Sequence, residues 1–151
     1  MIEVMTFRQR YDRAWKYEHV LNGEWFGTSV SSASDTIPAR VEGQGISWSS
    51  LCDPDITLIL GIFRTVMNSR TGEEDWRMTL CELDLYEIRS KTVTLQAEIR
   101  NESCFFGEPG MPAFAMTEKT GRERPYYRTL FFDPADKETM LLVLAFTALK
   151  F

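Results

Sequence analysis

Three strand-like segments follow one another between Ile56 and Arg100: ITLILGIFRTVM, then DWRMTLCELDLYEI after NSRTGEE, then TVTLQAEIR after RSK. Apolar, β-branched and aromatic runs separated by short polar turns form an antiparallel meander, and this constrains the fold class more than any other part of the chain. The third segment is the cleanest. Val93, Leu95, Ala97 and Ile99 alternate with Thr92, Thr94, Gln96, Glu98 and Arg100, so one face meets core and the other water. The first is apolar on both faces, with Ile56, Leu58, Leu60 and Ile62 on one and Ile59, Phe63 and Met67 on the other. Such a strand is covered on both sides, by an N-terminal helix or by a second subunit.

The middle segment carries the candidate chemistry. Read as one strand, Trp76, Met78, Leu80, Tyr86 and Ile88 share a face, and Glu82 and Asp84 fall on that face too. Two arrangements follow. A bulge near Cys81 shifts the register, brings Leu83 and Leu85 to the core and leaves both carboxylates in water. Alternatively the face is continuous, and Glu82 and Asp84 enter an apolar cavity lined by Trp76, Met78 and Tyr86. A carboxylate buried there has a raised pKa and can carry a proton near neutral pH.

Toward the N-terminus, Thr6 and Gln9 fit a capping box, and Phe7, Tyr11, Ala14 and Trp15 recur at helical spacing. They predict a helix over about residues 7–20, ended by Asn22-Gly23, with His19 favoured near its C-terminus by the helix dipole. Residues 24–30 read as a strand, the following SSASDT as a mobile loop, 38–48 as two short strands, and Asp53-Pro54-Asp55 as a turn. Residues 101–112 read as loop, and 113–118 and 126–132 as strands around Lys119-Thr120-Gly121. The tail from Met140 to Phe151 is almost wholly apolar. Asp133-Pro134 suits the start of a helix, whereas DPADKE suits a hairpin turn after YYRTLFF. A helix apolar all round must be buried on every side, and a strand needs only two covered faces, so the strand reading is favoured.

The remaining composition narrows the function classes. At 151 residues the chain fits one domain, 1–151, with 44% hydrophobic residues to build its core. Seventeen Lys and Arg against twenty-two Asp and Glu give a net charge of −5, which disfavours nucleic-acid binding. Arg122 and Arg124 flank Glu123 in a turn-like stretch and read as a solvated loop. Cys52, Cys81 and Cys104 are odd in number and widely spaced, and His19 is the lone histidine, so no metal pattern arises and a reducing, cytoplasmic setting is expected. No run approaches the roughly 18 apolar residues of a membrane span, and the first residues do not read as a signal peptide. Nucleotide, hydrolase and zinc-protease motifs do not occur, and no cofactor is implied.

Gly23-Glu24-Trp25, ahead of a series of strands, resembles the G-x-W entry of lipocalin-like (calycin) barrels. That resemblance implies a small apolar ligand inside a barrel. Lys150 stands where those barrels usually place an arginine over the tryptophan. The Tyr11–Trp15 stretch YDRAW before a curved antiparallel sheet is also similar to the NTF2-like, or SnoaL-like, cone fold, which implies acidic pocket residues in isomerisation or cyclisation.

The expectation is a mainly β domain: an antiparallel up-and-down barrel of about eight strands spanning about 24–151, with an N-terminal helix. Its expected function is binding of a small, mostly apolar molecule in the barrel cavity. Trp25, Trp76, Met78 and Tyr86 would form the walls, with Glu82 and Asp84 as polar anchors. The alternatives are a cofactor-independent isomerase or cyclase using Glu82 or Asp84 as acid/base and Tyr86 as donor, or an interaction module that forms a homodimer through strand 56–67.

Overall fold

The computed structural model describes residues 1–11, 14–31, 40–43, 46–49, 56–58, 61–67, 74–120 and 126–151. The two apolar faces of 56–67, and the dimer contact expected on them, lie outside the described side chains. So do Cys52, the Asp53–Asp55 turn, Arg122 and Arg124, and most of the Ser-rich loop.

The described residues form thirteen antiparallel strands and one C-terminal helix. The strands are β1 (Ile2–Tyr11), β2 (Ala14–Leu21), β3 (Glu24–Ser31), β4 (Arg40–Gly43), β5 (Ile46–Ser49), β6 (Ile56–Leu58), β7 (Gly61–Met67), β8 (Glu74–Glu82), β9 (Leu85–Ser90), β10 (Thr94–Arg100), β11 (Ser103–Gly107), β12 (Ala115–Lys119) and β13 (Tyr127–Phe131), followed by α1 (Lys137–Leu149). They make one sheet in the order β5-β4-β3-β2-β1-β13-β12-β11-β10-β9-β8-β7-β6. It is a meander in which the first strand sits mid-sheet, flanked by β2 and the last strand. The ends come near one another, β5 lying close to β7. The hydrogen-bonded ladder does not close, however, so the expected barrel is an open, rolled sheet.

Helix α1 fills the roll. Every side chain from Met140 to Ala148 is buried, and the core joins them to inward residues of both halves of the sheet, among them Val4, Phe26, Val41, Ile88, Leu95 and Phe106. Phe146 meets Tyr86 of β9 edge-on at 5.4 Å and Phe106 of β11 at 5.8 Å. Leu141 rests on Gly27 of β3 and Gly43 of β4. The favoured strand reading of the tail is therefore corrected. An all-round apolar helix needs cover on all sides, and a sheet rolled around it supplies that cover. Its N-cap is Asp136, whose Oδ1 accepts from the Thr139 N–H at 2.7 Å, not Asp133.

The N-terminal helix is corrected too. Residues 2–11 and 14–21 are paired strands, with Thr6 opposite His19 and Arg8 opposite Tyr17. Asn22 and Gly23 both have positive φ, 52° and 79°, so they turn the β2–β3 hairpin rather than stop a helix. Strand β11 falls within the segment expected as loop, and the third segment alternates as expected, with Leu95 and Ala97 fully buried.

Candidate functional site

The middle segment is a hairpin rather than one strand. Trp76 pairs with Ser90, Met78 with Ile88 and Leu80 with Tyr86, and the register then slips between Leu80 and Glu82. Leu83 and Asp84 form the turn, Asp84 in the left-handed region at φ 62°. The bulge at Cys81 is thus present and both carboxylates are exposed. Leu83 does not become core, however, but is 91% exposed. Trp76 and Met78 are buried in the core cluster that includes α1, and Tyr86 is half-buried against Phe146. Trp25 is 45% exposed, its indole N–H donating to Thr28 Oγ1 at 2.8 Å, and Thr28 in turn donates to Glu18 at 2.6 Å. The six expected site residues do not converge: two are core, one packs at the edge of the core, two stand in a solvent-exposed turn and one lies elsewhere on the surface. The volume read as a ligand cavity holds the helix.

Open volume lies where α1 enters the sheet. A cleft of about 690 Å³ is bounded by the β9–β10 turn, the β11–β12 connection and the β13–α1 connection. Val93, Leu95, Met111, Pro112, Phe114 and Ala135 give it apolar walls. Three carboxylates, Glu108, Asp133 and Asp136, and three hydroxyls, Thr92, Thr94 and Thr139, give it polar character, and no Lys or Arg is among its described lining residues.

Its frame is tied down by hydrogen bonds. Glu138 in the first helical turn accepts from Thr92 Oγ1 at 2.9 Å and from Ser90 Oγ at 3.1 Å, which fixes the β9–β10 turn to the helix. The Phe114 carbonyl accepts from Phe132 N–H at 2.7 Å, and the Phe114 N–H donates to the Phe106 carbonyl at 2.8 Å. The sequence marks several cleft residues as strand or helix-start positions, Thr92 to Leu95 and Asp133-Pro134 among them, and none as a site. Two signals pointed to the place: the Gly-Pro punctuation of 107–112 and the DPADKE stretch, which here is a connection into a helix.

A second polar arrangement is sealed in the core. His19 Nδ1 lies 2.8 Å from Thr6 Oγ1 and Nε2 lies 2.9 Å from Ser29 Oγ, all three side chains having no exposed surface. Burial pushes the imidazole down to about 3, so it is neutral, one nitrogen donating and the other accepting. A serine, a base and an orienting hydroxyl in line resemble a nucleophile triad in outline. With no surface reaching them they serve as a cross-strand staple, a role different from the helix-end cation expected of His19. Thr117, Thr129 and Thr147 make a similar knot, with Thr117 and Thr129 hydroxyls 2.7 Å apart.

The two described thiols, Cys81 and Cys104, are not activated either. Burial pushes Cys104 up to about 12, and desolvation with the neighbouring Glu87 raises Cys81. Among the described residues, no three His, Cys, Asp or Glu side chains gather to hold a metal. No described helix is long and apolar enough to cross a membrane. Comparison with protein-family models, curated proteins and solved structures finds no match to this chain.

Proposed function

We propose that the protein binds a small, mostly apolar molecule at the mouth where α1 enters the rolled sheet, through an end that is cationic or rich in hydrogen-bond donors. The cleft carries this reading. Its volume falls in the range of small-molecule sites, and apolar side chains share its walls with carboxylates and hydroxyls. Three carboxylates in a described lining that holds no lysine or arginine favour an ammonium over a carboxylate head. The chemistry expected of the sequence, a small apolar ligand, is kept, and its place moves from the sheet interior to the sheet mouth.

Calorimetric titration with n-octylamine, n-octanol and n-octanoate tests this reading. The amine should bind most tightly and the carboxylate least. Ala135→Trp, which fills the cleft from its wall, should abolish binding with the fold intact. Equal affinity for amine and carboxylate, or undiminished binding by Ala135→Trp, would rule it out.

A further inference from the structure

The opposite end of the roll has the opposite character. Cross-strand pairing places Arg8 opposite Tyr17 and Arg10 opposite Trp15, on the same inward face as Thr6 and His19 but nearer the end of the hairpin. Arg8 Cζ lies 3.7 Å from the Tyr126 ring centre and 4.1 Å from that of Trp15. Arg10 lies 5.5 Å from the Trp15 ring. Lys119 Nζ sits 4.7 Å from the ring of Phe151, which stacks on Tyr127. A helix of thirteen residues is about 20 Å long, so this cluster at its C-terminal end is separate from the cleft at its start.

The contrast with the outer face is informative. There Arg89 pairs with Glu87, Arg100 with Glu98, and Arg128 with both Glu3 and Glu118. Among the described residues, Arg8, Arg10 and Lys119 have aromatic rings for neighbours and no carboxylate partner. A ring against a guanidinium attracts its charge without neutralising it and does not itself occupy the in-plane N–H groups. Burial raises Tyr17 and Tyr127, keeping both phenols uncharged, so they add no negative charge of their own.

We infer that this end is a second binding site, for a carboxylate attached to a flat apolar body. Arg8 and Arg10 take the carboxylate through their in-plane N–H groups, and Trp15, Tyr126 and Phe151 take the body. A planar oxyanion suits a guanidinium fork, and rings that already face the cations offer stacking surface. Lys119 adds to the local potential in a chain whose overall charge is −5.

Benzoate, acetate and inorganic phosphate titrated into the full chain at low salt, followed by ligand-observed NMR, test the site. Benzoate should bind, more tightly than acetate or phosphate, and weaken as salt is raised. Arg8→Gln should lose about tenfold or more, as expected for a charge-assisted pair. Arg8→Lys, which keeps the charge without the fork, should lose most of that affinity too. Ala135→Trp at the far cleft should leave benzoate binding unchanged, so the two sites fail separately. If Arg8→Gln does not fold, Arg10→Gln on the exposed rim is read instead, with the same expected loss. Absent benzoate binding, binding unaffected by whichever arginine variant folds, or phosphate binding as tightly as benzoate would overturn the proposal.

Discussion

Leu141 of α1 holds its Cδ1 methyl 2.9 Å from where a Cβ on Gly27 would lie, and its Cδ2 methyl 3.0 Å from the corresponding point on Gly43. Two adjacent strands thus present bare backbone to one helical side chain, and the helix approaches the sheet closely there. The Glu42 carbonyl oxygen lies 2.8 Å from the same point on Gly27, so the strand itself also excludes a side chain.

Gly27→Ala is therefore expected to destabilise the fold by about 1–3 kcal/mol, the range for overpacking a filled core. Leu141→Ala should cost about 2–5 kcal/mol through the cavity it opens. Gly43→Ala combined with Leu141→Ala should cost less than the sum, because the methyl that Gly43→Ala meets is gone. Denaturant unfolding of the parent, the three single variants and the double variant checks all three. Full additivity would show that Leu141 does not press on Gly43.

Stability should depend on acid through His19. Its imidazole has a folded pKa of about 3 against an ordinary value of 6.5, because burial disfavours the charged form. Above about 6.5 the ring is neutral in both states and contributes no slope. Between about 6.5 and 3 the unfolded chain binds a proton that the folded chain does not, so stability falls as pH falls, by up to about 1.4 kcal/mol per unit. Chemical denaturation from pH 7 to 4, compared with His19→Phe, checks this. The variant should be less stable at pH 7, with Thr6 and Ser29 left unpaired, but should show a shallower acid slope.

These buried polar groups also explain what was legible in the sequence and what was not. The alternation of Val93 to Ile99 was plain because its inward residues are apolar. In β1 and β2 the inward positions include Thr6, His19 and Arg8, satisfied by partners on other strands or by aromatic rings. No hydrophobic alternation marks them, and Phe7, Tyr11, Ala14 and Trp15 mimic a helical stripe. Asn22-Gly23 suits a helix end as well as a hairpin turn, and only the pairing of β2 with β3 decides between them. The tail misled for a different reason. A helix without a polar face becomes plausible only once a sheet is known to encircle it, and that is a property of the whole chain. The cleft is a meeting of three connections distant in sequence, and no local pattern announces it.

Glu138 joins the helix start to the β9–β10 turn through Ser90 and Thr92. Glu138→Gln should cost about 0.5–1.5 kcal/mol, the range for hydrogen bonds near a surface. It should also speed amide exchange at Thr92 and Val93, whose N–H groups donate to Ser90 Oγ. Exchange measured by NMR checks this. Unchanged exchange there would mean that the turn is held without the helix.

The central claim is that α1 fills the interior of the sheet and leaves ligand binding to the mouth beside its first turn. Intermolecular nuclear Overhauser effects between n-octylamine and the protein methyl groups test it most directly. The account predicts contacts from the alkyl chain to Val93, Leu95 and Met111, lost in Ala135→Trp. Contacts to Met78 or Leu144, deep in the core, would contradict it.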